Sequence, residues 1–352
     1  MSKIVSDPRL PVVKDEKIRP LTQRLYELFR QYAIAHNKSY MWDTEGTAAP
    51  TTGTWAVSQT CKNTSPIGTG ALVIGWICTT SGTPGTWVSI TGGVGRERLT
   101  SNRTYYVRTD GSDSNNGLAN TSDGAFLTIQ YAVDVVSSSL DIASGVVVTI
   151  QLADGTYTGS VSMRNLVGFG SLTIQGNSST PGNVIVSVTN ASCFNNKIGG
   201  MTLIVKNMKL QTTTSGSCFV ARNSGLIEFS GIDFGSCATA HIDSQSYGII
   251  RSTGNYTISG GAVNHVFVGT SGSVSIVSIT VTLSGTPAFS LTFASSNLLG
   301  CILIYGVTFS GTGATGQRYY ITQNSICYTN GAGATYFPGD VAGSTATGGQ
   351  YL

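Results

Sequence analysis

Charge is scarce in this chain. Only 11% of its 352 residues are Asp, Glu, Lys or Arg, against roughly 25% in ordinary soluble proteins. After Arg251 the only charged side chains are Arg318 and Asp340. The net charge of +3 comes with no basic stripe and no interleaved aromatics, so no nucleic-acid partner is expected. A β surface this poor in charge has little to repel a second copy, and homo-oligomerisation is expected instead. Long apolar runs are missing too. No segment has the eighteen apolar residues of a membrane span, and MSKIVSDPRL has no apolar signal core, so neither membrane insertion nor a signal peptide is expected. Cysteine is odd in number, seven in all, and no CxxC occurs. Cys61 and Cys78 are the one candidate pair; the others read as small apolar strand residues, reduced as in cytosol. GxSxG and P-loop patterns are absent.

Glycine, by contrast, is abundant at 44 residues, and it recurs with a period. A Gly followed by an apolar run appears at Gly200, Gly225, Gly248, Gly272 and Gly300, in steps of 25, 23, 24 and 28 residues. Short strands at such a period form one coil of a solenoid per repeat. The segments are rich in Val, Ile, Thr, Ser and Phe and poor in good helix formers, which disfavours helical repeats. A mainly β fold is expected, a right-handed parallel β-helix.

Six residues before the first four glycines stand Phe194, Phe219, Ile242 and Val266, an apolar column that points into the core. Strand alternation then places the preceding column, Cys193, Cys218, His241 and His265, on the outside. Four such residues stacked about 4.8 Å apart span roughly 14 Å, too far for one tetrahedral zinc with ligands at about 2.0–2.3 Å. A side-chain ladder is expected there, and no metal or other cofactor. Glu228 and Arg251 each follow their glycine by three residues, which makes them stacked neighbours and an ion pair.

Four segments follow from composition. Residues 1–40 carry Pro8, Pro11 and Pro20 and then a helix whose Leu21, Leu25, Leu28 and Tyr32 are spaced four, three and four. That heptad-like stripe suits a short bundle aligning several protomers; an amphipathic helix packed on its own domain is the alternative. Residues 41–98 hold all four tryptophans in a small β unit, with Trp76 and Trp87 expected in its core rather than stacked on a sugar. Residues 99–310 form the β-helix, entered through a polar loop and a short helix near 126–140 with Ile129, Val133 and Val136 on its inner face. Residues 311–352, aromatic and Gly-rich, read as a terminal cap or intertwined tail.

The stretch from Tyr106 to Asp134 with the Ala153–Gly159 strand-turn resembles the entry sequence of pectate-lyase-like β-helix proteins. The GTW…C.NT.P…GW.CT..GTPGTW unit at 53–87 and the closing GQRY…YFPG…GGQY resemble segments of bacteriophage fibre and spike proteins. The resemblance implies a tailspike or tail-fibre protein of the virion. It would be a homotrimer, joined to tail or baseplate proteins through residues 1–40, with a shaft that contacts host surface polysaccharide. Two alternatives stand beside this adhesin, a polysaccharide depolymerase and a head fibre without receptor function.

Chemistry is thinly provided for. A glycoside hydrolase needs two carboxyl groups about 5–9.5 Å apart. The solenoid offers Glu228, Asp233 and Asp243 as candidate catalytic acids. Glu228 has its ladder partner, and Asp233 and Asp243 fall at different offsets from their glycines, hence on different faces. Binding without cleavage is the expectation, and a Ser-, Thr- and Asn-rich surface suits neutral sugars better than strongly anionic ones.

Overall fold

The computed structural model describes residues 19–38, 42–65, 73–91 and 96–352. Its chain divides into two compact units, one ending at residue 95 and one running from Arg96 to Leu352. In the first unit, helix α1 spans Arg19–Lys38, and its Leu21, Leu25 and Leu28 are exposed. Strands Thr44–Gly46, Thr60–Asn63, Val73–Thr80 and Thr86–Thr91 form a four-stranded sheet. All four tryptophans are half-buried. The Trp55 and Trp87 rings meet edge to face at 5.3 Å, and their indole nitrogens donate to the Thr52 and Pro84 carbonyls at 2.8 and 3.0 Å. Cys61 and Cys78 are buried free thiols, as the other five cysteines are free.

The second unit is a parallel β-solenoid built from three long sheets of ten, eight and seven strands, with a short three-stranded sheet at its start. Consecutive coils contribute one strand to each long sheet, so every ladder is parallel and in sequence order. The solenoid begins earlier than composition indicated, because Glu97–Leu99 pairs with Leu140–Ile142. It also continues through residues 311–352. Thr315–Ile321 and Ser344–Thr345 extend the eight-stranded sheet, and Ile326–Tyr328 and Gln350–Tyr351 extend the ten-stranded one. Helix α2, Ile129–Ser139, packs Ile129, Val133 and Val136 onto the first coils. The hydroxyl of its N-cap Thr128 accepts from the Tyr131 amide, and Asp113 holds the entry by accepting from the Leu127 and Thr128 amides, both at 2.9 Å.

The periodic glycine has a steric cause. From Arg222 onward each coil passes from the eight- to the ten-stranded sheet through a four-residue turn whose two central residues have positive φ, for example Ser246-Tyr247 and Thr270-Ser271. The turn closes with the Gly248 amide on the Gln245 carbonyl at 2.9 Å and the Gly272 amide on the Gly269 carbonyl at 3.0 Å. At Gly248 and Gly272 a Cβ would collide with the backbone oxygens of Ala221 and Ser244 in the coil before. Gly200 is one residue out of this column. The ladder sets Thr202 opposite Leu226, so Met201 sits at the level of Gly225.

The inward column is as the spacing predicts. Phe194, Phe219, Ile242 and Val266 pair in register and are fully buried. The column before it is not on the outside. Cys193, Cys218, His241 and His265 are fully buried as well. These residues lie where the chain turns into the eight-stranded sheet, and period two fails at such a corner. Cys193 and Cys218 precede their strands, and the ladder joining Ala240 to Asn264 and Ile242 to Val266 skips the two histidines.

Candidate functional site

The three candidate acids lie on three different sheets, as their offsets required for Asp233 and Asp243. Glu228, on the ten-stranded sheet, pairs with Arg251 of the next coil at 3.7 Å. Asp233, on the seven-stranded sheet, pairs with Lys209 of the coil before at 3.5 Å, and the Lys209 ammonium also reaches Ser259 Oγ at 3.2 Å. Asp243, on the eight-stranded sheet, lies 3.5 Å from Arg222 and accepts from Gln245 Nε2 at 2.7 Å. Nothing brings these acids together into one two-carboxyl site.

Two of these acids open onto concavities, Asp233 onto one of about 310 Å³ beside Asn255 and Tyr256 and Asp243 onto a larger one of about 500 Å³, both within the usual range of roughly 300–1,000 Å³ for ligand pockets. The Asp243 groove is the more richly polar. The groove runs across consecutive coils of the eight-stranded sheet. Asn195, Val220, Asp243 and Phe267 line it as one ladder column. Lys197, Arg222 and Gln245 line it where the same strands end, and Asn264, Ser217 and Thr239 edge it at the corner. The Ser217 and Thr239 hydroxyls bond one another at 2.8 Å, and Asn264 Oδ1 accepts from Thr292 Oγ1, also at 2.8 Å. The groove therefore presents amides, hydroxyls, two cations, one aromatic face and a single acid.

That acid is only 8% exposed. Burial pushes its carboxyl above the ordinary value, while the Gln245 hydrogen bond and the Arg222 charge pull it part of the way back. Glycosidic hydrolysis by paired carboxyl groups needs a second acid within reach, and no other acid lines the groove. Among the described residues no cluster of three or more His, Cys, Asp or Glu is placed to hold a metal.

Behind the groove wall the two histidines form a closed chain. His241 Nε2 donates to the Gly235 carbonyl at 2.9 Å, so its Nδ1 accepts from His265 Nδ1 at 3.1 Å, and His265 Nε2 accepts from the Tyr256 hydroxyl at 2.9 Å. This tautomer set uses all four ring nitrogens with both rings neutral. Burial brings His241 down to about 4, and burial together with His241 sets His265 well below its usual value. Phe234, Phe289 and Phe293 surround the pair. The chain is a packing element, sealed from solvent.

The groove was open to sequence reasoning, one step to the other side of the apolar column. Adding one to Phe194, Phe219, Ile242 and Val266 gives Asn195, Val220, Asp243 and Phe267, the groove column. Subtracting one gives the buried column.

No family model matches the chain, and no curated protein matches it. Among solved structures, the pectin methylesterase of Aspergillus niger in deglycosylated form is 16% identical, over 73% of this chain and 86% of its own, with a TM-score of 0.40. At that level of likeness the β-helix rests on the ladders of this chain itself.

Proposed function

We propose that this chain is the subunit of a bacteriophage fibre or spike, a homotrimer that joins the particle through residues 1–40 and holds host surface polysaccharide in the groove of its eight-stranded sheet. The virion reading is supported by the resemblance of the 53–87 unit and of the closing GQRY…YFPG…GGQY to segments of phage fibre and spike proteins, set on either side of a β-helix whose entry at 106–134 resembles that of pectate-lyase-like proteins. The glycan reading rests on one observation, a groove of amides and hydroxyls that contains a single acid. Asn195, Asn264 and Gln245 supply paired donors and acceptors for sugar hydroxyls, Phe267 offers a face for the apolar side of a pyranose, and Lys197 and Arg222 keep the groove from being negative. With one carboxyl, it holds the chain without cutting it.

A reducing-end assay on surface polysaccharide from a susceptible host, run beside a binding assay on the same material, tests this. Binding without new reducing ends supports the adhesin. New ends support the second reading, a depolymerase. That reading has one observation in its favour. The raised carboxyl of Asp243 keeps a proton to higher pH than an ordinary aspartate, as a general acid does, and its partner acid would come from a neighbouring chain. Neither binding nor cleavage removes the glycan role. Immunogold labelling of particles tests the virion assignment separately.

A further inference from the structure

The outward face of the ten-stranded sheet changes character along the solenoid. One ladder column reads Thr149, Thr173, Ile204, Glu228, Arg251, Ser275, Leu303 and Tyr328, and Leu352 follows at the next level. It begins with hydroxyls, passes through an ion pair and ends apolar. The neighbouring outward column runs through Cys301 and Ile326 to Gln350, uncharged throughout. The turn feeding Cys301 exposes Leu298 at 49% and Leu299 at 63%, both with positive φ. That conformation is strained for a leucine, and the sibling turns carry polar pairs such as Asn223-Ser224 and Gln323-Asn324. Tyr328, Ile326 and Leu352 are exposed between 36 and 48%. An exposed apolar patch of this kind marks a contact surface.

Two physical arguments identify what covers it. Three rungs about 4.8 Å apart and five residues at about 3.3 Å each give roughly 250 Å² of sheet face. A free-standing partner needs about 800 Å² on each side, so this patch cannot hold an unrelated protein by itself. A further copy already tethered elsewhere in an oligomer needs no such area. Symmetry adds the second argument. On a rotation axis each residue meets its own copies, and like charges meeting there repel. The Glu228 and Arg251 rungs could not sit on an axis, whereas the uncharged Leu303 and Tyr328 rungs can.

We infer that the last coils of the ten-stranded sheet, from Leu298 to Leu352, converge on the symmetry axis of the homotrimer, each copy covering this face of the other two. The inference rests on the homotrimer proposed above and names its contact. Cys301 is a built-in reporter, since it lies in the patch and is the one cysteine of the chain that is not buried.

The test is maleimide labelling of the native full-length protein, with its mass followed by light scattering. The wild type is expected to be a trimer whose Cys301 labels at least tenfold more slowly than in the Leu303→Lys, Tyr328→Lys double variant. The milder Ile326→Ser, Tyr328→Ser pair should expose Cys301 as well if the lysine variant fails to fold. A wild type that is monomeric overturns the homotrimer itself. A trimer in which Cys301 labels equally fast in wild type and both variants leaves the homotrimer standing and overturns this contact. Protection of Cys301 only on addition of host polysaccharide overturns it too, in favour of a glycan on this face.

Discussion

His241 and His265 show how much a single ring nitrogen can matter inside a solenoid. Both must stay neutral for the chain from Tyr256 to Gly235 to close. In the unfolded chain each takes a proton near its ordinary value of 6.5, while folded His241 resists protonation down to about 4. Above 6.5 the two states bind protons alike and stability is full; as the pH falls from 6.5 towards 4 the unfolded state gains protons that the folded state refuses, and stability drops. His241 alone accounts for about 3 kcal/mol of this loss at pH 4, and His265 adds to it with the same sign. Urea melts at pH 7, 5.5 and 4.5 should show the fall, and it should shrink in a His241→Phe, His265→Phe variant. Asp243 has the opposite sign, because its raised value means the folded state takes up a proton more readily than the unfolded one. Asp243→Asn is therefore expected to leave stability at pH 7 within about 1 kcal/mol of wild type, since folding disfavours the Asp243 anion by burial and the amide keeps a hydrogen-bonding group of the same shape. The same change should weaken polysaccharide binding about tenfold, the worth of one charged hydrogen bond, as read by calorimetry.

At the scale of elements, the sequence was most legible where a steric rule repeats. The glycine column and the Phe194–Val266 column were readable because a carbonyl of the previous coil forbids a Cβ and because a strand alternates. The reading failed at Gly200, where the turn holds one extra residue, and at Cys193, Cys218, His241 and His265, where a corner turns two successive side chains inward. The groove was missed for another reason. Its wall is a regular column, but Asp243 shows as an acid and not as the side of a cleft, since its surroundings come from four coils and no single segment shows them. The steric account of glycine makes a sharp contrast. Gly248→Ala should cost about 3 kcal/mol, as overpacking against backbone does, because the new Cβ would strike the Ala221 carbonyl. Gly200→Ala meets no atom within 4 Å, only a positive φ of 78°, and should cost about 1 kcal/mol. Denaturant midpoints of the two variants, at constant m, decide it.

For the whole molecule, the scarcity of charge and the three-sheet coil point the same way. A surface with two charged side chains beyond Arg251 is suited to meeting itself. Light scattering of the purified chain should give a mass close to about 110 kDa, three copies of the 36.7 kDa chain in one closed ring. A mass near that of one chain would remove the homotrimer.

The turns with paired positive φ also govern where this protein can change. Every coil from Arg222 onward crosses that corner in the same four residues, whatever its total length. The longest of these coils, from Gly272 to Gly300, takes up its extra residues elsewhere: Thr282 and Ala294 are twelve apart, whereas their ladder partners Thr257 and Val266 are nine apart. That stretch is the corner where Thr239, Val263 and Asn264 edge the groove one or two coils earlier. Beyond Arg222, extra residues are thus taken up beside the groove and not at the glycine corner, so the edge of the groove can be redrawn while the stacking beneath stays untouched.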